Sequence, residues 1–150
     1  TGMLAAEALG EQGPGAVVEL LAHLQPLLGG ARSAGAERVR GRIAHALRRI
    51  GPGAAAAIPA LLALLEDDDV YRDTRWYAKQ ALVAIGPAAA QALIEELRVR
   101  PRWAVLAALS EMRGEVLAAL VGLAARLEAL RRGEDEALHG ISAAILHKLR

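Results

Sequence analysis

The sequence predicts an all-α fold, a right-handed α-solenoid in which short helical hairpins stack one on another. Two observations lead to this prediction. Apolar residues recur at helical spacing from end to end of the chain, and Gly-Pro corners separate the helices. The corner glycines Gly13, Gly51 and Gly86 are 38 and 35 residues apart. A period in this range is typical of helical repeat proteins.

The clearest hairpin occupies residues 73–97. Before its corner, Ala78 and Ile85 are seven residues apart and share one face of a helix with the apolar residues between them. Gly86 can adopt the left-handed conformation that closes a helix, and Pro87 suits the first turn of the next one. Two short helices with one apolar stripe each cannot bury themselves alone, so neighbouring copies are expected.

Weaker copies of this hairpin occupy the rest of the chain. Each helix is placed where apolar residues recur at helical spacing, and it ends at a corner or a link. The links are glycine-rich at 29–35, acidic at 67–73 and polar at 131–136, with a tight turn at 98–101. The predicted helices lie near residues 4–14, 16–28, 37–50, 53–66, 72–85, 88–98, 101–113, 115–131 and 136–149.

The ends of the predicted repeat array are not capped. Residues 1–150 are expected to form a single repeat domain, yet solenoids normally carry polar terminal caps. We therefore expect either a fragment of a longer protein or an incompletely capped solenoid that self-associates through its ends. The apolar residues left exposed would be Leu4, Ala5 and Leu9 at one end and Ile145, Leu146 or Leu149 at the other.

Composition argues against several classes of protein. With no cysteine there is no disulfide framework and no thiol chemistry. A net charge of +1 creates no bulk field towards nucleic acid or membrane. No apolar run reaches the ~18 residues of a membrane span, and no signal peptide opens the chain. We expect a cytoplasmic protein, and the use of Arg for sixteen of the eighteen basic residues is typical of a GC-rich bacterial genome.

The hairpins resemble HEAT repeats, in particular the bacterial type found in phycobilin lyases. PALLALLED at 59–67 matches the family's first helix, and ALVAIGP at 81–87 matches the end of its second helix and its corner. Val39-Arg40 opens another second helix. The resemblance covers nearly the whole chain and implies about four to five HEAT-like units, although the first unit lacks its first helix and the fourth lacks the corner glycine. It implies a scaffold fold and leaves the function open.

In this family the second helices line the concave surface. Most acidic residues lie elsewhere, so the resemblance implies a basic groove with a more acidic back. The alternative is that the arginines are solvated or join neighbouring units, and we favour that structural role for Arg40, Arg75 and Arg102. Fourteen of the eighteen basic residues lie on the second helices or their approaches: Arg38, Arg40, Arg42, Arg48, Arg49, Arg72, Arg75, Lys79, Arg98, Arg100, Arg102, Arg113, Lys148 and Arg150.

The position ten residues before each corner points away from the buried stripe, and it holds Gly41, Trp76 and Trp103 in successive units. Two exposed indoles on adjacent helices, ~10 Å apart, predict a recognition patch. The alternative is that both rings pack over a neighbouring loop, while Tyr77 is expected to pack between helices. The predicted partner-binding residues are Trp76, Trp103, Arg48, His45, Lys79, Gln80 and Arg72.

The sequence contains no complete motif for catalysis or metal binding. The acidic link spaces Asp67, Asp69 and Asp73 like a calcium loop, but Arg72 replaces the required glycine and Ala78 the final glutamate. No His is followed by a Glu, so the His-Glu metal ligands of the HEAT-repeat deoxyhypusine hydroxylases are absent. No Ser/His/Asp set, phosphate loop or nucleotide fingerprint occurs. We expect no enzymatic activity, no cofactor and no metal.

Three functional classes remain. We favour a non-catalytic protein-interaction scaffold whose concave, basic, Trp-bearing face binds an acidic protein segment. The second class is nucleic-acid binding, as in alkylpurine DNA glycosylases built from HEAT-like repeats. Gln80 and Ala107 stand one turn after the two tryptophans, so the catalytic acid of those enzymes is missing and only phosphate binding remains. The third is a chaperone-like or phycobilin-lyase-like subunit, suggested by family likeness alone.

Overall fold

A computed structural model describes residues 13–28, 34–65, 72–100, 102–120 and 122–149 of the chain. These residues are predominantly helical and contain no β-strand, so the all-α prediction is confirmed for this part of the chain. The helix predicted at 4–14 lies almost entirely outside the described residues.

The α-helices end close to several of the predicted boundaries. Helices expected at 16–28, 72–85 and 88–98 are displaced by one residue at most. The single helix expected at 115–131 is wrong, because Gly122 adopts φ +83° and divides it in two. The helices are α1 (Val17–Leu28), α2 (Ala34–Ile50), α3 (Ile58–Leu64), α4 (Arg72–Ile85), α5 (Pro87–Val99), α6 (Trp103–Ser110), α7 (Gly114–Ala118), α8 (Leu123–Arg131) and α9 (His139–Lys148). Short 3-10 helices precede α1, α3 and α9 at Gly13–Ala16, Gly51–Ala57 and Glu136–Leu138.

Two of the Gly-Pro corners contain a glycine with a positive φ, although Gly86, with ψ −132°, lies outside the left-handed helical conformation that the sequence predicts. Gly51 has φ +74° and Gly86 has φ +85°, values that a residue with a Cβ rarely adopts. Pro87 is the first residue of α5, where its missing N–H leaves no helical hydrogen bond unmade. The corner at Gly86 therefore sets the end of α4 and the start of α5.

The contacts divide the chain into two compact units between Ile85 and Gly86. In the first unit α2 makes its most extensive contact with α4, while α1 packs on α2 and α3, and α3 packs on α4. Each helix buries the apolar stripe expected from its periodicity. The fully buried large side chains of this unit include Leu20, Leu24, Ile43, Leu47, Leu61, Leu65, Leu82 and Ile85.

In the second unit α9 packs on α6 and α8, and α5 contacts α6, α7 and α8. This packing buries Ile145 and Leu146 and half-buries Leu149, so the exposure expected for the first two is wrong. The corresponding residues at the other end, 4–9, lie outside the described part. The solenoid arrangement, the single domain and the self-association remain predictions.

Cationic side chains cap the carboxyl ends of three helices. Arg40 donates to the carbonyl oxygen of Leu27 in α1 and to the carboxylate of Glu37. Arg126 donates through Nε and Nη2 to the carbonyl oxygen of Leu97 in α5, at 3.2 and 2.8 Å. The last carbonyls of a helix have no partner within it, and a cation there also interacts favourably with the helix dipole.

The third cap joins α9 to α6, because Lys148 Nζ donates to the carbonyl oxygen of Ser110 at 2.9 Å. The structural role predicted for Arg40 is confirmed, since its side chain is buried and doubly bonded. Arg102 pairs with Glu96 at 3.4 Å within the second unit. The role of Arg126 was not predicted, because nothing in the local sequence pairs it with a carbonyl 29 residues earlier.

Replacing Arg40 by Ala is expected to lower the free energy of unfolding by about 3 kcal/mol. The change leaves the Glu37 carboxylate, 5% exposed, without its buried cation and the Leu27 carbonyl without its cap. Urea unfolding followed by circular dichroism measures the loss. The control is Arg38→Ala on the exposed side of the same helix, expected to change stability by no more than about 0.5 kcal/mol. Equal stability of the two variants would contradict the structural role of Arg40.

Candidate functional site

The two tryptophans are among the few large apolar side chains that the described residues expose. Trp76 on α4 is 45% exposed and Trp103, the first residue of α6, is 52% exposed. On α4 the buried stripe includes Ala78 and Leu82, and helical geometry carries Trp76 away from it. This exposure agrees with the sequence analysis, while the role of the rings in binding stays a prediction.

Trp76 belongs to a group of four side chains that we call the Trp76 cluster: His45 and Arg48 from α2, and Trp76 and Tyr77 from α4. The Trp76 and Tyr77 rings meet edge to face with centroids 5.2 Å apart. The Tyr77 and His45 rings meet in the same way at 5.4 Å, which confirms that Tyr77 packs between helices. The Arg48 guanidinium carbon lies 5.8 Å from the centroid of the Trp76 ring, a cation–π contact.

The structure thus brings together three of the seven predicted binding residues. Lys79 and Gln80 follow Trp76 by about one turn of α4 and are half-buried. The backbone of Arg72 begins α4, and its side chain lies outside the described residues. Trp103 belongs to the second unit, so its adjacency to the Trp76 cluster stays a prediction.

A cleft lies beside the Trp76 cluster, between α2 and α4, and the sequence analysis did not predict it. Its volume is ≈ 380 Å³. We call it the α2–α4 cleft. It is lined by Glu37, Arg38, Gly41, Arg42, His45, Thr74 and Tyr77. His45 and Tyr77 belong to both features, so the exposed indole and the cleft form one continuous surface of the first unit.

Gly41 contributes a stretch of the cleft wall that has no side chain. The expectation that position 41 faces away from the packed surface is wrong, because α4 covers that flank of α2 and buries Gly41. A Cβ atom added there would lie 3.6 Å from Tyr77 Cδ2 and 3.7 Å from Thr74 Oγ1. Thr74 is held in place because its hydroxyl donates to the carbonyl oxygen of Glu37 at 3.1 Å.

Arginine donors dominate the chemistry of the cleft. Glu37, the one carboxylate among the described residues of the lining, is bonded to the buried Arg40. Arg38 is exposed and forms no ion pair within the described part of the chain, whereas Arg42, one helical turn later, is half-buried and already interacts with another group. Among the described residues no three His, Asp or Glu lie close enough to hold a metal ion. The arrangement suits the binding of an anion.

No protein-family model, no curated protein and no solved structure matches this chain. The HEAT-repeat resemblance therefore stays a prediction. By length and composition alone, the described stretch Gly35–Leu64 is long and apolar enough to cross a membrane. Of its apolar 18-residue segment, 44% is buried within the protein. Buried core helices of other proteins are often equally long and apolar, and the corner at Gly51 interrupts this stretch. The cytoplasmic location stays a prediction as well.

The two neighbouring aromatic residues of α4 should differ in their effect on stability. Trp76→Ala is expected to lower the free energy of unfolding by about 1 kcal/mol, because it removes one edge-to-face contact and a half-exposed ring. Tyr77→Ala is expected to cost about 2 to 3 kcal/mol, because this ring joins α2 to α4. Thermal unfolding of the two variants measures the difference. A larger loss for Trp76→Ala would show that the indole is a packing residue.

Proposed function

We propose that this protein is a non-catalytic interaction scaffold of HEAT-like helical repeats whose basic, Trp-bearing face binds an acidic protein segment. The observation that supports the proposal is the Trp76 cluster. It combines an indole that is 45% exposed with an arginine stacked over it. Trp, Tyr and Arg are the residues most enriched among interface hot spots, and the cluster holds one of each.

The cluster is preorganised for binding. The edge-to-face contact with Tyr77 fixes the indole, and the cation–π contact limits the freedom of Arg48. A side chain that is already ordered loses less conformational entropy when a partner binds, which leaves more of the contact energy as affinity. Apolar side chains of the partner would cover the indole and displace water from it.

Charge favours an acidic partner. Arg48 and Arg38 are exposed on α2 and form no ion pair within the described part of the chain. They lie ten residues apart, which corresponds to about 15 Å along a helix. An amphipathic helix of the partner could place carboxylates on these guanidinium groups and apolar residues on the indole, the helix-in-groove mode of recognition. The proposal assigns Trp103 the same role in the second unit, where it supplies an exposed indole.

The test uses a fluorescent amphipathic peptide of Leu and Glu, about five helical turns long, and measures anisotropy. Trp76→Ala and Trp103→Ala should each weaken binding by about 2 kcal/mol, or about thirtyfold. Arg48→Glu should slow association and flatten its dependence on salt. The control is Arg132→Glu, since Arg132 is exposed in the second unit, pairs with Glu128 and is not among the basic residues assigned to the groove.

A single-stranded oligonucleotide of the same charge tests the competing function. Binding that is tighter to the oligonucleotide than to the peptide, and that falls steeply with salt, would indicate phosphate contacts and contradict the proposal. Unchanged peptide affinity in both tryptophan variants would also contradict it, because the exposed indoles would then have no part in recognition.

A further inference from the structure

We propose that the α2–α4 cleft is the subsite that receives one carboxylate side chain, a Glu or Asp, of the bound acidic segment. This assignment rests on the proposed function and adds to it a specific pocket and a specific chemical group. The cleft shares His45 and Tyr77 with the Trp76 cluster. A segment lying across the indole could therefore insert a neighbouring side chain into the cleft.

The size of the cleft suits a side chain. Its volume of ≈ 380 Å³ is near the lower end of the range for small-molecule pockets, ≈ 300–1,000 Å³. Gly41 lines this space without a Cβ, and Tyr77 and Thr74 lie at ordinary contact distance from where one would be. A single acidic side chain would occupy this space without displacing either neighbour.

The donors of the cleft select an anion. Arg38 and Arg42 are four residues apart on α2, so their side chains share one face of the helix. A guanidinium group offers parallel N–H donors that match the two oxygens of a carboxylate. The hydroxyl hydrogen of Thr74 is already donated to the Glu37 carbonyl, and Arg42 already interacts with another group, so the exposed Arg38 supplies the charged donors.

The position of Glu37 favours a carboxylate over a phosphate. The Glu37 side chain lines the cleft and carries a negative charge, which Arg40 partly offsets from within the core. A phosphate monoester carries about −1.5 to −2 charges at neutral pH, so it meets stronger repulsion from Glu37 than a carboxylate does. A metal cation is disfavoured by the two arginines.

Two glycine variants of α2 test the cleft with the same Leu/Glu peptide. In Gly41→Ala the added methyl enters the cleft at 3.6 to 3.7 Å from its neighbours, so the fold is retained and the melting temperature should not fall. The peptide affinity should decrease about tenfold, the effect expected if the methyl group displaces the carboxylate from one charged hydrogen bond. Gly35→Ala is the matched control, because its Cβ would have nothing within 4 Å; it should leave the affinity unchanged.

Arg38→Gln removes the exposed charge of the cleft and should weaken the Leu/Glu peptide about tenfold. The Arg38→Gln variant should have nearly unchanged affinity for a peptide in which Gln replaces Glu. In competition experiments free acetate should displace the peptide from the cleft more effectively than inorganic phosphate, and a preference for phosphate would overturn the carboxylate assignment. The amide signal of Gly41, followed by NMR, reports directly on occupancy of the cleft.

The outcomes separate the two proposals. If Gly41→Ala and Arg38→Gln bind the peptide normally while Trp76→Ala does not, the cleft is not a subsite and the proposed function stands. If the unmodified protein does not bind the Leu/Glu peptide, both proposals fail. Normal binding of the peptide by Arg38→Gln overturns the cleft by itself, because the side chain that supplies its charged donors is then shown to be unused.

Discussion

The surface features of the first unit depend on the packing of α2 against α4. This contact places Gly41 beside Thr74 and Tyr77, which leaves the cleft open. It also places Arg48 over the Trp76 ring. Because each feature combines residues of α2 with residues of α4, a shift of α4 along α2 would disrupt the cluster and the cleft together.

Helix ends impose the second constraint. The described helices are short, so a large share of their carbonyl groups lies in last turns that have no helical partner. Leu97 is an extreme case, because the residue four positions later is Pro101, which has no N–H to donate. Arg126 meets this need from α8, as Arg40 does for α1 and Lys148 for α6. Basic residues of this protein therefore stabilise the fold as well as charging its surface.

This double use of arginine matters for any account of binding. Arg40 is buried and bonded, so it cannot meet a partner, although the sequence places it among the basic residues of the second helices. Arg38 and Arg48 remain available on the same helix. The number of basic residues on a helix thus overstates the charge that a ligand meets, and the burial of each side chain decides which of them can recognise an anion.

The sequence was sufficient to predict the helical class, most helix positions and the Gly-Pro corners, because helical periodicity and backbone preferences are local. It also determined that Trp76 faces away from the stripe containing Ala78 and Leu82, since one helix suffices to define that direction. The packing of the helices, by contrast, determines that Gly41 lines a cleft, that Arg126 reaches Leu97, and that Ile145 is buried. These features depend on which helices come together across tens of residues, and a local pattern does not carry that information.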